Sequence, residues 1–152
     1  MKRSILFIGL GGSGGKTLRF LKRDLTNSLI ELGWDMSKGI PQCFQFLHID
    51  TPTIQDGDEI KSADMLPESE YLGLVGKGVD FPSVTQMLDA VSGISTEQVG
   101  WRVMPAGLNG LPIQEGAGAY RAVGRTIAIA QIGSIKKSLE AAIARINGGE
   151  AI

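Results

Sequence analysis

Two rhythms of apolar and polar positions alternate along this chain. Ser4 to Leu10 is a short, continuous apolar run closed by glycine, the pattern of a buried parallel strand. From about Gly14 to Leu32 the period turns helical. Leu18, Leu21, Leu25, Leu29 and Leu32 recur at helical spacing, with Arg19, Lys22, Arg23 and Glu31 around the other faces. That stripe covers too few heptads for a zipper and predicts a face packed on a sheet. Gly33 ends the helix. Gln42 to Ile49 predicts a second strand, bounded by Pro41 and Pro52, with Asp50 and Thr51 at its carboxyl end. Thr51 to Pro67 is acidic and unpatterned, a long loop. Tyr71 to Val75 reads as a short strand, and Phe81 to Val91 as a helix with Pro82 in its first turn. Gly100 to Leu111 is irregular, with Trp101 and Met104 as anchors. Helices follow over Tyr120 to Ile132 and Ser134 to Ile146. The second carries Ile135, Leu139, Ile143 and Ile146 on one face. Gly133 breaks or bends the pair, and Gly148-Gly149 ends it.

The order strand, glycine-rich segment, helix, strand opens a doubly wound α/β fold. The expected architecture is a Rossmann-like three-layer parallel sheet flanked by helices. Two firm strands would leave much apolar helix surface uncovered. Either further strands lie around Tyr71 and Trp101 or the natural protein continues; the second is the favoured reading, with residues 1–152 the amino-terminal part of one nucleotide-binding domain, truncated from a longer protein.

Composition narrows the function. A net charge of −1 gives no footprint for nucleic acid or anionic membrane. No run approaches the ~20 apolar residues of a membrane helix. The apolar run after Met1-Lys2-Arg3 is too short for a signal peptide, so cytoplasm is the default compartment. The single cysteine, Cys43, excludes an intramolecular disulfide and reads as an inert thiol in an apolar strand. His48, the single histidine, lies an odd number of residues away. The two would face opposite sides of one strand, which argues against a nucleophile pair. His48 reads as a structural residue.

Glycine is the unusual component: 21 residues, against an average near ~7%. They cluster in Gly9-Leu10-Gly11-Gly12-Ser13-Gly14-Gly15 and in Gly116-Ala117-Gly118-Ala119, each directly before a predicted helix. Without a Cβ in the way, backbone N–H groups there can approach an anion. The helix N-terminus behind adds unpaired donors and partial positive charge. Two such segments point to one nucleotide gripped at two places.

Gly9-x-Gly11-x-x-Gly14 satisfies the dinucleotide fingerprint in its strand–helix context. Its acidic companion would be Asp50, but that lies roughly 40 residues on, where the motif expects ~20. An NAD(P)-dependent oxidoreductase would also leave the second segment without a task. Gly15-Lys16-Thr17 matches the end of a phosphate loop, yet Leu10 stands where that motif needs its first glycine. Lys16 meets a phosphate or is solvated in the first helical turn; both readings stay open. The same holds for Arg121 and Arg125, which clamp phosphates or sit on the surface.

At this point the chain resembles the tubulin/FtsZ superfamily, in particular bacterial tubulin-like proteins. Phe7 to Gly15 looks like that family's first nucleotide loop. Ile49-Asp50-Thr51 is similar to the loop after the second strand, where FtsZ proteins usually read Asn-Thr-Asp. Gly116-Ala117-Gly118-Ala119 with Gly124-Arg125 resembles the loop that senses the γ-phosphate. The resemblance implies GTP or GDP as ligand, with Mg²⁺ accompanying the nucleotide, and self-association into filaments. It implies contacts from Gly11, Gly12, Ser13 and Gly14 to the α- and β-phosphates, and from Ala117, Gly118 and Ala119 to the γ-phosphate. Gly9, Lys16, Asp50 and Arg125 complete the candidate set. The family's glycine-threonine signature, guanine contacts and catalytic acidic loop lie beyond the last helix here, so a GTPase activity is not assigned to these residues. A scaffold of the same fold that binds no nucleotide is the further alternative.

Overall fold

In the computed structural model, which describes residues 3–55, 64–76, 79–90, 113, 116, 117 and 120–148, the first strand β1 spans Ile5–Leu10. The first helix, α1, follows at once over Gly11–Glu31. It begins three residues earlier than its hydrophobic period predicts. The glycines after Leu10 are therefore the first helical turn rather than a loop. The turn is made at Gly11, whose φ of 69° is open to glycine at little cost. At the other end Gly33, with φ 79°, closes a Schellman motif. Its N–H bonds the Ile30 carbonyl, and the Trp34 N–H bonds that of Leu29.

Strand β2, Phe44–Asp50, pairs in parallel with β1, from Ile5 opposite Phe44 to Leu10 opposite Ile49. A short third strand, β3 (Tyr71–Gly73), completes a sheet of order β1-β2-β3. Helix α2 spans Phe81–Ala90, α3 spans Arg121–Ala130 and α4 spans Ile132–Gly148. The chain is an α/β fold of Rossmann-like type. It divides into two compact units: Met1–Asp50, Gln55–Leu72 and Lys136–Ile152 in one, Thr51–Ile54 and Gly73–Ile135 in the other.

In the first unit, α1 packs on the sheet face that carries Phe7 and Phe46. Leu18, Phe46 and Leu66 form the buried cluster, backed by Phe7, Leu25, Ile40 and Phe44. Phe7 and Phe46 stack at 5.2 Å. On the opposite face Arg145 of α4 donates from Nε to Gln45 at 2.7 Å, so helices flank both sides.

The leucine stripe is only partly inward. Leu21 is exposed and Leu32, already past the helix, is 83% exposed. Arg19 and Lys22, expected on the solvent side, point inward instead. Arg19 is buried, with Nη1 3.7 Å from the Met65 sulfur. Lys22 pairs with Glu70 at 2.5 Å and lies over the Phe46 ring. In α4, Ala142 is buried and Ile143 is half-exposed, so the inward face is turned one residue from the predicted one. Gln131, not Gly133, separates α3 from α4. Cys43 lies in the turn before β2, so the strand-face argument does not apply to it.

The second unit has its own core: Val75, Phe81, Val84, Ile113, Val123 and Ile127. Asp80 caps α2 by accepting from the Ser83 N–H (3.0 Å) and hydroxyl (2.5 Å), which holds its carboxyl below the usual range. Residues 51–54 run beside 73–75, with the Val75 N–H on the Thr51 carbonyl and the Thr53 hydroxyl on that of Val75. Gly100 to Leu111, with Trp101 and Met104, lies outside the described residues.

Two substitutions test the inward face. Phe46→Ala should cost about 3–5 kcal/mol of stability in urea unfolding. Leu32→Ala should stay within about 0.5 kcal/mol.

Candidate functional site

The carboxyl ends of β1 and β2 bring together the first glycine segment, Asp50 and His48. Each glycine has a different surrounding. Gly9 is buried, and a Cβ there would stand 2.6 Å from the Gly14 carbonyl oxygen. Gly14 faces the Gly9 backbone in turn. These two let strand and helix touch backbone to backbone. A Cβ on Gly15 would collide with the His48 ring. Gly12 differs: it is exposed, and a Cβ there would meet nothing within 4 Å. Ser13 is exposed as well, and its carbonyl accepts from the Thr17 hydroxyl at 3.0 Å.

The first turn of α1 has no side-chain cap, since Leu10 occupies the N-cap, and no acidic residue. Its leading N–H groups have no partner within the helix. Lys16 is half-buried in the second turn. The arrangement offers backbone donors, a hydroxyl and one cation, all suited to an anion.

Beneath the turn lies His48, 1% exposed. Its Nε2 is 3.1 Å from the Gly11 carbonyl oxygen and 3.5 Å from Asp50 Oδ2. Tyr71 of β3 meets the ring edge-on at 5.1 Å. Burial, reinforced by the Asp50 carboxylate and opposed by Arg19, pushes the Tyr71 hydroxyl up to about 12. His48 and Tyr71 were in none of the motifs, and Gly15, though part of the glycine run, was not among the candidate contacts. The signal for His48 was its i, i+2 relation to Asp50 on one strand face.

In the second segment, Gly116 has φ 138° and donates to the Ile113 carbonyl at 3.2 Å. The Tyr120 N–H bonds the Ala117 carbonyl at 3.0 Å and leads into α3, which also lacks a side-chain cap. A Cβ on Gly124 would stand 3.6 Å from Ala117 Cβ, an ordinary van der Waals contact, so the packing here does not require glycine. Arg121 and Arg125 are exposed on α3. Gly118 and Ala119 lie outside the described residues. Among those residues no cluster of three or more His, Cys, Asp or Glu could hold a metal ion. No described helix is long and apolar enough to cross a membrane.

Substitutions in the turn should separate by surroundings. Gly12→Ala should leave stability unchanged or raise it by up to about 1 kcal/mol, because alanine favours the helix. Gly15→Ala should cost about 1–3 kcal/mol or more through collision with His48. Thermal unfolding of both variants reads the difference. For Tyr71, the folded state holds the hydroxyl neutral after the unfolded chain has begun to ionise near pH 10. Its contribution is thus complete below pH 10 and is lost as pH rises towards about 12. Tyr71→Phe should flatten that alkaline fall, seen by comparing the two proteins in urea across pH 9–12.

A family model described as tubulin-like matches residues 6–152. No curated protein and no solved structure matches the chain. The match runs from within β1 through α4 and takes in both glycine segments, so the chain belongs to the tubulin-like family.

Proposed function

We propose that this chain is the GTP-binding module of a tubulin/FtsZ-like, filament-forming protein. In this reading the glycine segments 9–14 and 116–119 hold the phosphates. The observation that carries it is the exposed, uncapped glycine turn at the start of α1 in a chain of this family. Gly11, Gly12, Ser13 and Gly14 give N–H groups and a hydroxyl to the α- and β-phosphates. Lys16 adds positive charge, and Asp50 at the end of β2 borders the turn. Ala117, Gly118 and Ala119 face the γ-phosphate, with Arg125 one turn into α3. Mg²⁺ arrives with the nucleotide, since it is commonly held by phosphates and water with few protein ligands. Assembly into filaments is the partner interaction that the family implies, with cytoplasm as the compartment.

Calorimetry with GTP, GDP, ATP and NAD in the presence of Mg²⁺ tests the reading. Guanine-selective binding is the expected result, and NAD binding would move the assignment to an oxidoreductase. Gly12→Val and Gly118→Val should each abolish GTP binding while circular dichroism stays native. Equal binding by wild type and both variants rejects the two-segment reading.

A further inference from the structure

Three elements converge on one imidazole. Below the glycine turn, His48 Nε2 has the Gly11 carbonyl oxygen at 3.1 Å and Asp50 Oδ2 at 3.5 Å. Tyr71 stands against the ring edge-on. The ring also occupies the space that any side chain at position 15 would need. Both polar neighbours of Nε2 are acceptors, while Nδ1 is buried with no hydrogen-bond partner among the described residues. A neutral imidazole carries one N–H. Two acceptors at Nε2 and none at Nδ1 assign that proton to Nε2.

The consequence for the turn follows from peptide geometry. The peptide joining Gly11 to Gly12 is planar and trans, so its C=O and N–H point in opposite directions. The Gly11 carbonyl is directed at the buried ring, which turns the Gly12 N–H away from it. Gly12 is exposed, with open space at its Cα. We propose that His48 is a positioning residue for the glycine turn. By donating from Nε2 to the Gly11 carbonyl, it fixes the Gly11–Gly12 peptide and presents the Gly12 N–H to an anionic phosphate oxygen. Asp50 Oδ2, 3.5 Å from the same nitrogen, is a second acceptor for that proton and helps orient the ring. The ligand in this inference rests on the nucleotide reading above; the hydrogen bond and the peptide orientation do not.

The full chain has one histidine, so its ring gives one pair of ¹⁵N signals. The expected form is Nε2–H with Nδ1 unprotonated; an Nδ1–H ring overturns the proposal. Two variants then separate packing from donation. His48→Phe keeps an aromatic ring without a donor, and His48→Gln keeps a donor of similar reach. With both folded by circular dichroism, His48→Phe should move the Gly12 amide resonance and weaken Mg-GTP binding about five- to tenfold, and His48→Gln should stay within about twofold. If the wild type binds GTP and His48→Phe binds it equally well, positioning is rejected. If the wild type binds no nucleotide but the Gly12 amide still moves in His48→Phe, positioning stands and the nucleotide reading falls. An unmoved Gly12 amide overturns positioning whether or not GTP binds. Should His48→Phe fail to fold, the wild-type ring tautomer decides.

Discussion

The site depends on a close approach between α1 and the strands beneath it. The chain leaves β1 and enters the helix with no intervening loop, so the first helical turn lies on the strand ends. Gly9 and Gly14 touch through their backbones, and Gly15 lies directly on the His48 ring. A methyl group at Gly9 or Gly15 would enter space already filled. Helix position, sheet coverage and the direction of the first N–H groups are therefore set together. The positive φ of Gly11 supplies the sharp change of direction that makes this arrangement possible.

A glycine-rich run is easily taken for a flexible loop. Here most of its glycines are committed to fixed geometry: Gly9, Gly14 and Gly15 to packing, Gly11 to the turn. Gly12 has neither a tight neighbour nor a positive φ. The run thus joins a rigid base to an accessible tip. Each glycine in a helical turn carries an entropic cost of roughly 0.5–1 kcal/mol relative to alanine, offset by the contacts that a Cβ would prevent. Helical periodicity places the start of α1 near Gly14 because Gly11 to Lys16 carry no apolar side chain to show the period, and their propensity disfavours a helix. Tertiary packing overrides the propensity and extends the helix back to Gly11.

Elsewhere, what could be read in the sequence followed the range of the interactions. The positions of β1, β2, α1 and α2 were legible because continuous apolar runs and helical spacing are local signals. Asp50 at the end of β2 was legible for the same reason. The inward placement of Lys22 was not. Its partner is Glu70, far along the chain, and the alkyl stem of a lysine can cover an aromatic ring while its charge finds an acid. Arg19 against Met65 is a second instance. The leucine stripe failed at Leu21 because that residue sits off the arc shared by Leu18, Lys22 and Leu25, and at Leu32 because the helix had already ended. His48 was legible as buried, but its use was not. Only the fold sets the Gly11 carbonyl over the ring.

Magnitudes limit what the α1 turn can do alone. An anion at a helix N-terminus gains about 0.3–1 kcal/mol, rising to about 2 in a partly buried setting. A micromolar nucleotide complex needs about 8 kcal/mol. Charge-assisted hydrogen bonds from oriented N–H groups add roughly 1.5–3 kcal/mol each. Two or three such bonds approach the required total only if the donors are already in place, because ordering a mobile glycine segment costs about 1–2 kcal/mol per residue. The packing at Gly9, Gly14 and Gly15 means that this ordering has been completed during folding. In the tubulin-like reading, the remaining affinity comes from contacts beyond this turn.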